Sequence, residues 1–122
     1  MESIKKNKVK ICQVVSSDFT LKFMLLDQLR FLQSQGYQVF AVCSPGKWVN
    51  DVEKEGISVK TIKLTRKMVS PISDLTAFVK LFFYFKKEKF DIVHVHTPKA
   101  EVYGQIAAKF AGVSVILNTL HG

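Results

Sequence analysis

The chain has 122 residues, 48% hydrophobic and 23% charged, with 18 Lys and Arg against 10 Asp and Glu and a formal net charge of +8. This length suffices for one domain with a real core and not for two, and the composition is that of a folded rather than a disordered chain. No apolar run reaches the roughly 18 residues of a membrane span, and no apolar stretch follows the basic amino terminus as in a signal peptide. The expectation is a cytoplasmic protein. Cys12 and Cys43 both fall in strand-like runs and read as small buried hydrophobes; their separation fits neither a redox pair nor a zinc site.

Residues 9–15 are a nearly continuous apolar run, the pattern of a strand covered on both faces. Residues 20–35 carry Leu21, Leu25, Leu29 and Leu32 at helical spacing, and Gly36 follows as a carboxyl-terminal cap. Residues 37–43 form the second strand and Ser44-Pro45-Gly46 turns the chain. A short helix over 48–55 closes at Gly56, and 57–64 alternates apolar and polar residues as an edge-like strand does. After a basic loop at 65–70, Pro71 opens a helix to about residue 89, with Phe78, Leu81, Phe82 and Phe85 as its apolar face. A fourth strand over 91–96 leads to Thr97-Pro98, a good helix start. That helix runs to about residue 111, and 113–118 is the fifth strand. Strand and helix alternate throughout, so the predicted fold is α/β: a Rossmann-like parallel sheet of about five strands in the order 3-2-1-4-5, with helices on both faces.

In such a sheet ligands sit beyond the carboxyl ends of the strands, where the strand order reverses. The loop after strand one carries Ser16, Ser17 and Asp18, the end of strand four carries His96 and is followed by Lys99, and His121 follows strand five. These segments are expected to share one rim. The first loop lacks GxGxxG, so the dinucleotide fingerprint is absent. Its polar residues can bind a polyol or simply form a turn that starts the helix. Thr20 is the better cap, which would leave Asp18 for a ligand. His94 and His96 share a face of the fourth strand. With His121 they could form a metal triad, but His96 and His121 read better as hydrogen-bonding rim residues, with His94 packed in the core. No metal or other cofactor is expected. Lys99, at a helix amino terminus, suits an anion as well as it suits solvent.

Between residues 60 and 89, eight basic side chains face two carboxylates. Arg66, Lys67, Lys86 and Lys87 are the candidate patch for an anionic ligand or membrane surface. The helix that carries Phe82 to Phe85 among lysines could lie on an anionic membrane, with Phe83 and Tyr84 directed away from its core stripe. No nucleic-acid motif accompanies the charge, so nucleic acid is not an expected partner.

Read in order, Asp18-Phe19-Thr20-Leu21-Lys22-Phe23, Gln35-Gly36-Tyr37-Gln38-Val39, Cys43-Ser44-Pro45-Gly46, Phe90-Asp91-Ile92-Val93-His94-Val95-His96-Thr97-Pro98, Ala107-Ala108-Lys109-Phe110-Ala111-Gly112-Val113 and the closing Thr119-Leu120-His121-Gly122 resemble the amino-terminal domain of glycosyltransferase family 4, of GT-B fold. The resemblance spans nearly the whole chain. It implies a transferase moving a sugar from a nucleotide-sugar donor to a lipid-linked saccharide in capsule or exopolysaccharide synthesis, at the inner face of the plasma membrane. The domain over 1–122 would be the acceptor-binding half, incomplete, with the donor bound by a second domain absent here. Ser16, Ser17, Asp18, His96 and Lys99 would line the acceptor side, and His121 would approach the donor sugar as the catalytic residue. Glu101 stands where family members commonly carry a small residue. Catalysis needs groups aimed at the leaving diphosphate, so the chain alone is expected to be inactive. The alternatives are a non-catalytic acceptor-binding or membrane-docking subunit of a split transferase, and a fragment of a GT-B-type nucleotide-sugar epimerase.

Overall fold

The structure, a computed structural model, describes residues 9–63, 71–96 and 106–119. Five strands alternate with helices along it: β1 (Lys10–Val14), β2 (Gln38–Cys43), β3 (Ser58–Thr61), β4 (Ile92–His96) and β5 (Val115–Thr119). Between β1 and β2 the chain forms one helical stretch, α1 (Asp18–Thr20), a π-helical turn (Leu21–Leu25) and α2 (Leu26–Ser34). Then come α3 (Val49–Glu53), α4 (Pro71–Glu88) and the helical residues 106–110, α5. The strands pair in parallel in the order β3-β2-β1-β4-β5, as the sequence pattern predicts.

Because strand side chains alternate between faces, β1 feeds two cores. Ile11 and Val15, with Val39, Ala41 and Cys43 of β2, pack against Leu21, Leu25, Leu29, Val49 and Val52. Cys12 and Val14, with Val42, Val93 and Val95, pack against Ala77, Leu81 and Phe85 of α4 and Ala107 and Ala108 of α5. Burying a Leu or Phe of this kind is worth about 1.5–3 kcal/mol. The phenylalanine stripe of α4 is the expected one, with Leu81 and Phe85 fully buried and Phe78 and Phe82 partly so. Phe83 does face solvent, but Tyr84 is half-buried against the core beside Phe90, with ring centroids 5.3 Å apart. Burial pushes its phenol well above the usual value.

Among the described residues four helix ends adopt the left-handed conformation, three of them at the glycines Gly36, Gly56 and Gly112. Gly36 (φ 97°) follows α2 at no steric cost, whereas Lys89 (φ 54°) takes the same role after α4 with a Cβ. Among the described residues no helix is long and apolar enough to cross a membrane.

Candidate functional site

The carboxyl ends of β1, β2 and β4 lie side by side, since Val14 pairs with both Val42 and Val95. The loop after β1 therefore opens at the crevice edge, next to the loop after β2. Ser17 is the helix cap: it has extended backbone, and its hydroxyl accepts the Phe19 N–H at 3.1 Å. The helix thus begins two residues earlier than Thr20, which sits buried inside it and not at its cap. A serine at the cap satisfies an amide that the first helical turn leaves unpaired. Ser16 is buried and engaged, while Ser17 and Asp18 are half-exposed.

Asp18 is not simply free for a ligand. One carboxylate oxygen, Oδ2, accepts the backbone N–H of Trp48 at 2.9 Å, which joins the β1 loop to the β2 loop. Gly46 makes this contact sterically feasible, because a Cβ there would overlap the Asp18 carboxylate. Around this joint stands an aromatic group. The Phe23 ring meets Trp48 edge-on at 5.0 Å and Phe19 at 4.7 Å. The Lys22 ammonium lies 4.3 Å from the Trp48 ring centroid and is ion-paired with Asp51. That hydrogen bond from Lys22 holds the Asp51 carboxyl below its usual value. Cys43 is close by and is no nucleophile: burial pushes its thiol up to about 12, with the Asp18 and Glu53 carboxylates adding to the effect.

His96 departs from the expectation of a solvent-facing rim residue. It is only 1% exposed, and its Nε2 lies 2.6 Å from Oε1 of the fully buried Gln13. His94, expected in the core, is half-exposed instead, with its ring 4.0 Å from that of His96. Both histidines share the face of Gln13, but His94 pairs across to Leu117 of edge strand β5, where the sheet face is open. Among the described residues the Gln13 Nε2 has no hydrogen-bond partner. Among the described residues no cluster of His, Cys, Asp or Glu could hold a metal ion.

The structure thus brings Ser16, Ser17, Asp18 and, beneath them, His96 to one end of the sheet. Lys86 and Lys87 lie elsewhere. They occupy the last turn of α4, about 22 Å along the helix from its start at 1.5 Å per residue, and α4 runs back from the crevice end toward the start of β4. Arg66, Lys67, Lys99 and His121 lie outside the described residues. Sequence reasoning missed Gln13, Lys22, Gly46 and Trp48 as site residues; only Lys22 and Gly46 carried a signal, as parts of the Asp18–Phe23 and Cys43–Gly46 stretches. A depression of about 270 Å³ lined by Gln33, Tyr37, Phe40, Gly56 and Ser58 is at the amino ends of β2 and β3, away from this rim.

Comparison with known proteins gives a consistent assignment. The family described as glycosyl transferase 4-like matches residues 10–122. An Escherichia coli UDP-Gal:alpha-D-GlcNAc-diphosphoundecaprenol alpha-1,3-galactosyltransferase is 29% identical over 97 residues, 80% of this chain and 25% of that protein. The Staphylococcus aureus capsular polysaccharide biosynthesis glycosyltransferase CapM is 31% identical over 99 residues, 81% of this chain and 25% of its own length. The chain therefore spans about a quarter of the length of these relatives. A crystal structure of a glycosyltransferase from Rickettsia africae superposes with a TM-score of 0.72 at 22% identity, covering 95% of this chain and 30% of that one, which supports the fold alone. With the family match running from the first strand to the last residue, this Rossmann-like chain belongs to the glycosyl transferase 4-like family.

Proposed function

We propose that the chain is the acceptor-side part of a glycosyltransferase that moves a sugar from a nucleotide-sugar donor to a lipid-linked saccharide in cell-surface polysaccharide synthesis. The observation that supports this most directly is the placement of Asp18 at the crevice end of the sheet, half-exposed and held by the Trp48 amide. An ionised carboxylate has about four acceptor sites, so one bound amide leaves capacity for a sugar hydroxyl. Ser17 is committed to the helix start through its hydroxyl acceptor, yet that O–H can still donate. His96, buried against Gln13, would act by holding the end of β4 in place and not by touching the acceptor. His121 and Lys99 keep their roles as proposals: His121 near the reacting centre and Lys99 toward an acceptor phosphate. The donor would be bound across the crevice by a second domain outside these 122 residues. The reaction would take place at the inner membrane face, where a polyprenyl-linked acceptor is presented. By itself the chain would bind acceptor and not turn it over.

The test is a titration of the isotopically labelled chain with a short-chain polyprenyl diphosphate disaccharide, followed by amide NMR. Shifts should centre on residues 16–19 and 46–48 and be lost in Asp18→Ala. A UDP-sugar should leave those amides unmoved. Shifts from the UDP-sugar alone, or acceptor shifts confined to the depression by Gln33 and Tyr37, would refute the acceptor-side assignment.

A further inference from the structure

Beside Asp18 three aromatic rings are in contact, and two of them are largely uncovered. Phe19 and Phe23 are 54% and 52% exposed, although their centroids are 4.7 Å apart and Phe23 meets the half-buried Trp48 edge-on at 5.0 Å. A cluster that served only to pin the helix would enclose its rings. Here other groups do the pinning: Lys22 pairs with Asp51 of α3, and Leu21 and Leu25 sit in the core. A single exposed apolar residue is ordinary, but a contiguous aromatic group is not.

The backbone is shaped around this group. Leu21–Leu25 form a π-helical turn, a rare form that occurs mostly as one turn inside an α-helix and often at functional sites. The wider turn lets Leu21, Leu25 and Leu29, four residues apart, all reach the core. On its outer side Lys22 and Phe23 come toward Asp51 and Trp48. The Phe19 and Phe23 rings are tilted by 39°, so together they present a broader surface than a parallel stack.

At the edge of this surface stands the Asp18 carboxylate. Its Oδ2 accepts the Trp48 amide, and its Oδ1 has no partner among the described residues. An aromatic plate with a hydrogen-bond acceptor at its rim matches a pyranose. One face of such a ring carries C–H groups that its oxygens polarise, and these are drawn to the negative face of an arene. The hydroxyls radiate from the ring edge and can donate to a carboxylate. A phosphate at the same place would meet the Asp18 charge, and a hydrocarbon chain would strip water from that carboxylate without returning a hydrogen bond. We infer that Phe19 and Phe23 form a stacking platform for a neutral hexopyranose of the acceptor, with the C–H face of the sugar on the rings and one hydroxyl donating to Asp18. Trp48, with the Lys22 ammonium 4.3 Å from its ring centroid, backs the platform and is not part of it. The inference rests on the reading that the crevice end receives the acceptor, and adds which residues grip which part of it.

The test uses the full 122-residue chain, a short-chain polyprenyl diphosphate disaccharide, and the same lipid diphosphate without sugar. In saturation-transfer NMR, irradiation of the aromatic protons should reach the C–H protons of one pyranose face more strongly than the prenyl protons. Phe19→Ala and Phe23→Ala should each weaken binding of the disaccharide lipid about fivefold and leave the sugar-free lipid unaffected. Phe19→Tyr, which keeps the π face, should stay within about twofold of the native chain, whereas Phe23→Leu, which keeps apolar volume without that face, should behave as Phe23→Ala does. Circular dichroism melts show whether each variant is folded. Should Phe23→Ala be unstable, the two Phe19 variants and saturation transfer on the native chain decide. Full affinity in the phenylalanine variants, alongside Asp18-dependent amide shifts at residues 16–18 and 46–48, would overturn the platform and leave the acceptor-side assignment standing. Saturation received chiefly by the prenyl protons would do the same, and failure of the disaccharide lipid to bind would overturn both.

Discussion

The joint between Asp18 and the β2 loop can be tested with one methyl group. A Cβ at residue 46 would overlap the Asp18 carboxyl carbon and both of its oxygens, while the Gly46 φ lies outside the left-handed region. Alanine is therefore acceptable to the backbone, and the clash is with one short side chain. In Gly46→Ala the carboxylate must leave the Trp48 amide. A hydrogen bond to a charged group is worth about 1.5–3 kcal/mol, and partial solvent exposure of Asp18 brings the expected loss to about 1–2 kcal/mol. Against this, replacing glycine removes unfolded-state entropy worth about 0.4–1 kcal/mol. The net cost in the native background is about 0–1.6 kcal/mol, at most roughly 8 °C in midpoint for a domain of this size. With Asp18→Ala already present the obstruction is gone, and the same Gly46→Ala should instead stabilise by about 0.4–1 kcal/mol. Thermal and urea melts of the four proteins in this cycle give the coupling directly. An identical Gly46→Ala effect in both backgrounds would refute the close packing of residue 46 on Asp18.

Two further outcomes follow from single side chains. Burial holds the Cys43 thiol at about 12, well above its ordinary value. Above pH 9 the unfolded chain therefore releases a proton that the folded chain keeps, and stability falls as pH rises toward 12. Cys43→Val should make the decline in melting midpoint between pH 9 and 10.5 shallower, and an unchanged slope would count against the assignment. Lys89→Gly should raise stability by about 0.5–1 kcal/mol in a urea melt by relieving the left-handed backbone after α4; a loss would mean the lysine side chain contributes more than the strain costs.

The fold was legible because its signals are local and agree with one another. Val- and Ile-rich runs alternate with helical leucine and phenylalanine spacing, and Gly36, Gly56 and Gly112, all at positive φ, mark the ends of helical segments. Right-handed parallel crossovers leave few sheet orders for that pattern, and β3-β2-β1-β4-β5 is the one observed. The start of the first helix differs from its predicted position for a local reason. Ser17 and Thr20 are both good capping residues, and only the backbone shows that Ser17 is extended and its hydroxyl already takes the Phe19 amide.

The site was less legible because its decisive contacts join residues far apart in sequence. Topology alone put Asp18 at the crevice end, since the chain must turn after β1. Nothing in the sequence linked it to the Trp48 amide, 30 residues on. His94 and His96 show the same limit from the other side. Period-two alternation places both on one face of β4, but it cannot say which is covered. Cover depends on neighbours: His96 meets the amide of Gln13 from β1, while His94 faces the open side of β5. The sequence placed both histidines at the right address and assigned them each other's environment. A buried Gln–His pair at a strand end, with the Gln13 Nε2 unmatched among the described residues, is the kind of polar contact that fixes the register of two strands, here β1 and β4 below the loop that carries Asp18.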